Sequence, residues 1–374
     1  MRIALNLLYL LPGVVGGTET YARSLIKAFA RQDDDNEYSV FLNRESAELD
    51  VTPADNFNRV ICPINATNRA ARYSWEQGAM PLQLMRTRPD LVHSLGYVIP
   101  LAARGPQVVT VHDVNYLGHK GWRTGVGRTA FRFFAERTVK RADRIIAVSR
   151  FSRDEIVKHM RVSADKVTVV HSAGRDAVPG KKDAPFASDL LRSIPRPYVM
   201  AFSALSAHKN IPRLIEAFGK ISSIVPHDLV LVGHMPVKTA VREKIEAAGG
   251  SERVHFTGYI PEKEVGALLQ NASLFAFPSL YEGFGLPLLD AQNAGVPVVC
   301  SSAGALPEIA GDSAILFDPH SVDAIANALK RGLLDTDLRE TLIEKGHDNA
   351  RSFSWDRTAR ETLDVYYDVA HVAA

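Results

Sequence analysis

The sequence predicts an α/β protein with two domains, each built on a parallel β-sheet that is covered by helices. Short apolar runs typical of buried strands alternate with longer amphipathic segments typical of helices, which is the pattern of parallel sheets. This pattern restarts near Pro197, after residues 172–196, which are rich in Gly, Pro, Lys and Asp and are typical of a linker. A length of 374 residues gives each of two domains enough chain for its own core.

A glycine-rich loop follows the first predicted strand. Residues 2–7 are strand-like, residues 12–17 contain three glycines, among them Gly16 and Gly17, and residues 18–30 are predicted to form an amphipathic helix. The glycines do not have the Gly-x-Gly-x-x-Gly spacing of dinucleotide-binding loops, and no acid stands convincingly at the end of a second strand. A nicotinamide site is therefore a weak alternative.

A histidine stands at the end of a later strand. Residues 106–111 are strand-like and are followed by His112 and Asp113. A single histidine at a strand end is more often structural, but the carboxyl end of a parallel strand favours a ligand role. Residues 142–149 predict the next buried strand, and Ser152 with Glu155 is interpreted as a capping box that begins a helix.

The most informative stretch lies in the second half, between two apolar strands over residues 272–278 and 296–300. The glycines at 283 and 285 let backbone N–H groups approach a ligand, and a helix that begins near Leu286 presents the positive end of its dipole there, so a diphosphate fits this place. Glu282 and Asp290 add two carboxylates. Taken as spacing alone, a strand–turn–helix with two solvated acids is an equally good interpretation.

Residues 279–300 resemble the donor-site signature of the retaining glycosyltransferases of family 4, the group 1 glycosyltransferases, which carry two glutamates separated by seven residues. Glu282 matches the first glutamate, and Asp290, one methylene shorter, stands at the second. The resemblance implies that the first acid lies beside the donor sugar and that the second accepts hydrogen bonds from ribose hydroxyls. The shorter side chain of Asp290 is therefore expected to affect the strength of ribose binding more than the chemical step.

The resemblance covers nearly the whole chain. Residues 207–210 are similar to the Arg-Lys-Asn element of the family, whose lysine contacts donor phosphate; Lys209 matches it, whereas His208 stands where many members have arginine and Ser203 where others have a phosphate-binding arginine. The resemblance implies catalytic roles for Glu282, His112 and Lys209, and donor binding by Gly16, Gly17, Ser203, His208, Lys209, Gly258, Tyr259, Gly283, Phe284, Gly285, Leu286 and Asp290.

The resemblance further implies the GT-B architecture, two facing Rossmann-like domains with a cleft between them. Residues 1–180 are then the acceptor-side domain, residues 190–354 bind the nucleotide sugar, and a last helix over 355–374 packs back on the first domain. The implied reaction is the retaining, metal-independent transfer of a hexose, most plausibly mannose, from GDP-mannose or a UDP-sugar to a glycan or glycolipid acceptor. The alternatives are a catalytically weak pseudo-enzyme acting as a nucleotide-sugar-binding scaffold, and a nucleotide-sugar epimerase.

Bulk properties narrow the class of protein. Cys62 and Cys300 lie in apolar surroundings far apart in sequence, so they are predicted to be buried free thiols, and neither Cys nor His shows metal-ligand spacing. We therefore expect no metal and no cofactor besides the sugar donor. No apolar run reaches the roughly 18 residues that span a bilayer, and the amino terminus lacks a secretory signal pattern, so we expect a cytoplasmic protein.

Charge is distributed unevenly between the two halves. Residues 1–190 hold 27 Lys and Arg against 20 Asp and Glu, whereas the whole chain has a net charge of only +2. Much of the basic excess lies over residues 120–144, interleaved with aromatics, which is typical of peripheral contact with anionic lipid on the inner face of a membrane. A packed helix with a solvated basic face is the alternative. Nucleic acid is disfavoured because no recognised binding motif accompanies the charge.

Overall fold

The structure, a computed structural model, describes residues 1–118, 126–175, 192–203, 206–233 and 251–372. The chain divides into two compact units. Unit 1 comprises Met1–Ser172 together with Ser354–Ala374, and unit 2 comprises Ala173–Phe353. The predicted linker over 172–196 lies largely outside the described residues.

Unit 1 contains a seven-stranded sheet in which all neighbouring strands are parallel, as the alternation of strands and helices predicts. The strand order is β3-β2-β1-β4-β5-β6-β7. The strands are β1 (Arg2–Asn6), β2 (Glu37–Leu42), β3 (Phe57–Ile61), β4 (Leu91–Ser94), β5 (Gln107–Val111), β6 (Arg144–Ala147) and β7 (Val167–Val169). Strands β4 and β5 are buried throughout, which explains their apolar sequences.

The helices of unit 1 connect these strands. They are α1 (Gly17–Gln32), α2 (Arg69–Ser74), a π-helical turn (Trp75–Ala79), α3 (Met80–Thr87), α4 (Asn115–Gly118), α5 (Val126–Arg141), α6 (Arg150–Met160) and, after the chain has passed through unit 2, α13 (Trp355–Val372). Helix α1 buries Tyr21, Leu25 and Phe29. Helix α13 packs on α1, where Tyr366 lies 5.9 Å from Phe29 between ring centroids.

Unit 2 contains a six-stranded parallel sheet in the order β10-β9-β8-β11-β12-β13. The strands are β8 (Tyr198–Phe202), β9 (Asp228–Val232), β10 (Val254–Gly258), β11 (Leu274–Phe277), β12 (Val298–Ser301) and β13 (Ile315–Phe317). The described helices are α7 (Ile211–Ile221), α8 (Glu262–Gln270), α9 (Leu286–Asn293), α10 (Leu306–Ala310), α11 (Val322–Leu334) and α12 (Thr336–Arg351). Helices α7 and α11 bury Phe218 and Leu329 in the core of this unit.

Each sheet has one position where the strand order reverses its direction. In unit 1 it lies between β1 and β4, and in unit 2 between β8 and β11. Connections diverge at such a position, and ligands of open α/β sheets bind there, beyond the carboxyl ends of the strands. The predicted residues Ser203 and Glu282 follow β8 and β11, so their location agrees with this rule.

The two cysteines are free and buried, as predicted, one in each unit. Burial raises the pKa of Cys62 to about 11 and that of Cys300 to about 12. Among the described residues, no helix combines the length and the apolar character that crossing a bilayer requires.

The contact between α13 and the sheet of unit 1 gives a first prediction. The hydroxyl of Tyr366 is hydrogen-bonded to Nδ1 of His93, which is fully buried. Tyr366→Phe should lower the free energy of unfolding of unit 1 by about 1–3 kcal/mol, because it leaves a buried polar atom without its partner. Urea unfolding followed by tryptophan fluorescence measures this, since all three tryptophans of the chain belong to unit 1.

The neighbouring Tyr367 provides a matched control. Its hydroxyl accepts a hydrogen bond from Asn36, but the residue is 38% exposed, so Tyr367→Phe should change the stability by less than about 0.5 kcal/mol. Equal effects of the two substitutions would contradict a specific role for the Tyr366 contact.

Candidate functional site

The structure brings two of the predicted catalytic residues of unit 2 together. Lys209 ends a short 3-10 turn (Ala207–Lys209), and its Nζ lies 2.7 Å from Oε1 of Glu282. The side chains are 22% and 16% exposed, so the ion pair is largely withdrawn from water. The Lys209 ammonium also lies 5.5 Å from the centroid of the Phe277 ring. The pair therefore sits directly beyond β11, where the sequence predicts the donor site.

The turn that carries Lys209 is fixed to the end of β11 by backbone groups and by Asn210. The N–H of Leu280 donates to the carbonyl of His208 at 2.7 Å. Asn210 adopts a left-handed conformation with φ of 57°, and its buried side-chain amide donates to the carbonyls of Pro278 and Pro319. These bonds hold the lysine in place without using its ammonium group. The Nδ1 atom of His208 bonds Ser206 at 2.8 Å.

The backbone of Glu282 rests on a glycine that the sequence analysis did not single out. A Cβ atom on Gly304, which has φ of +67°, would lie 2.7 Å from both the N and the O atom of Glu282. The next residue, Ala305, donates its N–H to the Glu282 carbonyl at 3.0 Å. Only glycine fits here, so the loop after β12 determines where the backbone of Glu282 lies. In the sequence, the position of Gly304, three residues after the buried strand β12, could have indicated a tight turn at this place.

Helix α9 begins at the predicted place. Gly285 precedes it with φ of 122°, a conformation that favours glycine, and a Cβ there would lie 2.8 Å from Leu306. Leu286 is the first helical residue and Pro287 the second. Phe284 is buried and packs edge-on against Phe353 at 5.9 Å. The turn containing Gly283 is thus held by a buried ring, and it leads directly into the amino terminus of α9, where the helix dipole is positive.

Three loops join at the carboxyl ends of β8, β9 and β10. Oγ of Ser203 donates to the carbonyl of Gly233 at 3.3 Å, and the N–H of Gly233 donates to the carbonyl of Gly258 at 3.0 Å. A Cβ on Gly233 would lie 2.2 Å from the Ser203 carbonyl oxygen, so glycine is required there as well. Tyr259, which follows this connection, is 67% exposed. The loop that contains the predicted donor-binding residues Gly258 and Tyr259 therefore presents an aromatic ring to solvent.

Asp290 has a different environment from Glu282. Its Oδ1 accepts the backbone N–H of Arg175 at 2.6 Å, and its Oδ2 lies 3.5 Å from the Arg175 guanidinium. The Asp290 side chain is 6% exposed. The carboxylate is therefore bound to the chain segment at the start of unit 2, and the predicted contact with ribose stays a prediction.

In unit 1, the predicted Gly16 and Gly17 lie at the start of α1. Gly16 has φ of 59°, and a Cβ on it would meet no atom within 4 Å, so its backbone conformation rather than crowding favours glycine. Glu19 accepts the N–H of Gly13 at 2.8 Å and closes the loop. Glu19 has no part in the predicted site, but an acid in the first turn of a helix is a common stabilising residue.

His112 follows β5 and is half-buried. Its Nε2 lies 3.0 Å from the carbonyl oxygen of Leu95, so Nε2 carries the hydrogen and Nδ1 can accept a hydrogen bond. Its ring packs edge-on against Tyr21 of α1 at 4.8 Å, one turn beyond Gly17. Burial lowers the pKa of His112 to about 4. The imidazole is therefore neutral at neutral pH.

A chain of buried hydrogen bonds supports Tyr21. Its hydroxyl is 3.2 Å from Oγ1 of Thr110, which is 2.9 Å from Nε2 of His93, and His93 in turn bonds Tyr366 of α13. Burial, with a smaller contribution from His112, lowers the pKa of His93 to about 3, and burial raises that of Tyr21 to about 12. All members of this chain are therefore neutral, which lets them be buried at low cost.

The predicted capping box at Ser152 and Glu155 is wrong. Helix α6 begins at Arg150, and its cap is Ser149, whose Oγ accepts the N–H of Ser152 at 2.9 Å. Ser149 has an extended backbone that continues from β6, so the cap comes three residues earlier than expected. The hydroxyl of Ser152 donates instead to the carbonyl of His112 at 3.2 Å.

The basic segment is described only in part. Residues 119–125 lie outside the described residues, and the predicted lipid contact of residues 120–144 stays a prediction. In α5, Phe131 is buried against Tyr116, with ring centroids 4.7 Å apart, whereas Phe133 is 48% exposed beside Arg137. At least one of the interleaved aromatics therefore belongs to the core. Among the described residues, no group of three or more His, Cys, Asp or Glu is arranged to hold a metal ion.

Two family models match the chain. The model described as Glycosyltransferase Family 4 matches residues 15–173, and the model described as Glycosyl transferases group 1 matches residues 190–349. The first therefore covers most of unit 1 and the second most of unit 2.

Several relatives are named mannosyltransferases, and others are named D-inositol 3-phosphate glycosyltransferases. The O-antigen chain mannosyltransferase B of Escherichia coli is 32% identical over 229 residues, which is 59% of this chain and 60% of that protein. The serotype-specific mannosyltransferase WbdA of E. coli is 29% identical over 78% of this chain and 38% of its own length. The MMP alpha-(1->4)-mannosyltransferase of Mycolicibacterium hassiacum is 30% identical over 76% of this chain and 72% of that protein. The matched region thus spans less than two thirds of each of the two E. coli relatives.

Solved structures of similar fold cover nearly the entire chain. Sucrose-phosphate synthase from Thermosynechococcus elongatus has a TM-score of 0.77 at 19% identity, with all of both chains covered. WaaG, a glycosyltransferase of lipopolysaccharide biosynthesis, has a TM-score of 0.72 at 17% identity, with 97% of this chain and 99% of that chain covered.

Two Rossmann-like units with parallel sheets, together with these structural neighbours, define the fold class as GT-B, as the sequence predicts. The chain belongs to the group 1 glycosyltransferases, the glycosyltransferases of family 4.

Two histidines of unit 1, His93 and His112, have lowered pKa values and therefore make the stability of this unit depend on pH. Because the pKa of His112 and that of His93 are lowered on folding, the unfolded chain binds more protons below about pH 6.5, and stability is lost as the pH falls towards the folded values. In His112→Asn, the loss of unfolding free energy between pH 7 and pH 5 should be smaller than in the wild type by about 1–2 kcal/mol. Urea unfolding followed by tryptophan fluorescence measures it.

His371, exposed on α13, supplies the control. His371→Asn should leave the pH dependence of unit 1 unchanged. The same dependence in wild type and His112→Asn would show that His112 is not held neutral by the fold.

Proposed function

We propose that the chain is a retaining, metal-independent glycosyltransferase that transfers a hexose, most plausibly mannose, from a nucleoside diphosphate sugar to a glycan or glycolipid acceptor. The observation that carries the proposal is the Lys209–Glu282 ion pair beside the start of α9. The pair supplies a cation and a carboxylate at the carboxyl ends of the strands of unit 2, next to the amino terminus of α9. A diphosphate sugar would use the cation and the helix terminus for its phosphates and the carboxylate for its sugar.

The charge of the departing diphosphate can be met by protein groups alone. The groups that face it in this proposal are the Lys209 ammonium, the N–H groups of residues 283–286 and the dipole of α9. Since His208 and Ser203 replace the arginines of related sequences, Lys209 carries more of this task here. A lysine that already bonds a carboxylate is held in position before the donor arrives.

The proposed chemistry needs no protein base. The bond between the anomeric carbon and the phosphate oxygen breaks, the acceptor oxygen bonds the same face of the sugar, and the acceptor proton passes to an oxygen of the departing diphosphate. Glu282 then orients the sugar instead of attacking it. His112, neutral with Nδ1 able to accept, would take a hydrogen bond from a sugar hydroxyl.

The names of relatives and structural neighbours support the proposed sugar and acceptor. Three of the matched relatives named above are mannosyltransferases, one of them of the O-antigen chain, which favours GDP-mannose and a glycan acceptor. HepE of Anabaena, with a TM-score of 0.74 at 20% identity over 98% of this chain and all of that one, was solved with UDP and glucose, so a UDP-sugar is the second candidate. A cytoplasmic site, with peripheral contact to the membrane through residues 120–144, remains part of this proposal.

A thermal-shift panel of GDP, UDP, ADP and their sugars tests the donor class directly, because a ligand raises the melting temperature by occupying the folded state. We expect a diphosphate and its sugar to stabilise the protein, and saturating EDTA to leave both the shift and the rate of transfer unchanged. A rate that collapses on chelation and returns with magnesium or manganese would contradict the metal-independent charge arrangement. Donor binding without transfer to any acceptor would favour the scaffold.

Lys209→Ala should weaken the binding of the nucleoside diphosphate and of its sugar alike. The expected loss is about 10- to 100-fold, because a charge-assisted hydrogen bond is removed and the Glu282 carboxylate is left facing the phosphates. The nucleoside monophosphate should be less affected. Calorimetric titration measures all three ligands. Lys345→Ala, which breaks the exposed pair with Asp312 in the same unit, is the control and should change none of them.

Glu282→Ala should remove most turnover, by about 100-fold or more, while the protein stays folded, because the carboxylate orients the sugar and does not pack in the core. Initial rates, with the melting temperature measured on the same samples, test this. Activity within about threefold of the wild type would exclude the orienting role.

A further inference from the structure

A buried asparagine lies directly after β2 and uses every hydrogen-bonding group of its side chain. The Nδ2 atom of Asn43 donates to the carbonyl of Leu8 at 3.0 Å and to that of Leu10 at 2.7 Å. Its Oδ1 accepts from the N–H of Ser46 at 2.8 Å and from the Ser46 hydroxyl at 2.9 Å. Because the amide nitrogen only donates and the amide oxygen only accepts, these bonds determine which way the side chain faces.

The two carbonyls that Asn43 bonds belong to one tight turn after β1. The N–H of Leu10 donates to the carbonyl of Leu7 at 2.9 Å and closes a β-turn. The N–H of Leu8, within this turn, donates to Oδ1 of Asn6 at 3.1 Å. All three leucines are buried. Asn43 therefore holds the turn from the side of β2, and Asn6 holds it from the end of β1.

Tyr9, at the centre of this turn, connects it to the start of α1. The Tyr9 hydroxyl donates to the carbonyl of Thr18 at 3.2 Å, one residue after Gly17. A Cβ on Gly96, in the loop after β4, would lie 2.5 Å from Cδ1 of the Tyr9 ring, so only glycine leaves room for the ring there. Burial raises the pKa of Tyr9, so the hydroxyl keeps its proton and remains a donor.

We propose that Asn43 is a positioning residue for the glycine loop of unit 1, residues 12–17. Its amide holds the turn, the turn carries Tyr9, and Tyr9 holds the start of α1, where Gly16 and Gly17 lie. Asparagine is required because an ionised aspartate has no donor and a glutamine carries its amide one methylene further. The consequence for sugar transfer rests on the proposed function, with donor binding by Gly16 and Gly17.

Hydrogen–deuterium exchange without nucleotide tests the hold on the turn. Asn43→Ala should raise the exchange rate of the Leu10 amide by about tenfold or more, because the turn opens more often once two of its carbonyls lose their donor. Ser46→Ala is the matched control, since it removes a hydroxyl bond to Asn43 but neither bond to the turn, and it should leave this exchange rate nearly unchanged. Equal exchange in Asn43→Ala and wild type would overturn the proposal.

The pH profile of Asn43→Asp distinguishes positioning from a general loss of stability. The groups that bond the Asn43 side chain are carbonyls, an N–H and a hydroxyl, none of which titrates, and the nearby Glu45 bonds the N–H of Ala66. An aspartate buried against carbonyl oxygens has a raised pKa, and only its protonated form can donate to the turn. The transfer rate of Asn43→Asp, divided by that of the wild type at the same pH, should therefore rise severalfold from pH 8 to pH 5.5. The corresponding ratio for Asn43→Ala should stay constant.

Steady-state kinetics complete the test. In Asn43→Ala, kcat/KM for the donor should fall about tenfold or more, whereas in Ser46→Ala it should fall less than about twofold, with melting temperatures measured on the same samples. Equal losses in the two variants, or a pH-independent ratio for Asn43→Asp, would overturn the positioning role. If the wild type transfers sugar from no donor, the proposed function fails, while the exchange rate of the Leu10 amide still decides whether Asn43 holds the turn.

Discussion

The ion pair between Lys209 and Glu282 is the interaction on which the candidate site of unit 2 depends. Two charges that are mostly withdrawn from water lose hydration, and their attraction compensates for this only when both are held in a fixed geometry. The surrounding structure supplies that geometry through backbone groups: the Leu280 N–H holds the turn of Lys209, and the loop of Gly304 and Ala305 holds the peptide of Glu282. Both side chains consequently keep their charged ends for each other and for a ligand.

Unit 1 also withdraws polar side chains from water, but these side chains carry no charge. Three polar groups in the core of unit 1 are uncharged: His93 on β4, Thr110 on β5 and Tyr21 on α1 satisfy one another by hydrogen bonds. A neutral imidazole can act as a hydrogen-bond acceptor without attracting a counter-ion, which suits contact with an uncharged sugar. Unit 1 thus offers a neutral hydrogen-bond acceptor at His112, whereas unit 2 offers a pair of opposite charges at Lys209 and Glu282.

Much of this arrangement could be predicted from the sequence, because strands, glycine turns and helix starts are local. The alternation of apolar runs predicted both parallel sheets, and the turn at Gly283 and Gly285 predicted the start of α9. What could not be predicted depends on contacts between distant segments. Gly304 is required because the backbone of Glu282 packs against it. The environment of Asp290 depends on Arg175, which lies 115 positions away in the sequence. The cap of α6 was misplaced for a local reason, since Ser149 and Ser152 both suit the role.

The distribution of the two cysteines has a practical consequence. One thiol is buried in each unit, and burial keeps both protonated near neutral pH, so neither reacts while its unit is closed. A thiol reagent therefore modifies Cys62 only when unit 1 opens and Cys300 only when unit 2 opens. Peptide mass spectrometry after timed alkylation would separate the two events. The alkylation rate of Cys62 then reports the opening of unit 1, and that of Cys300 reports the opening of unit 2.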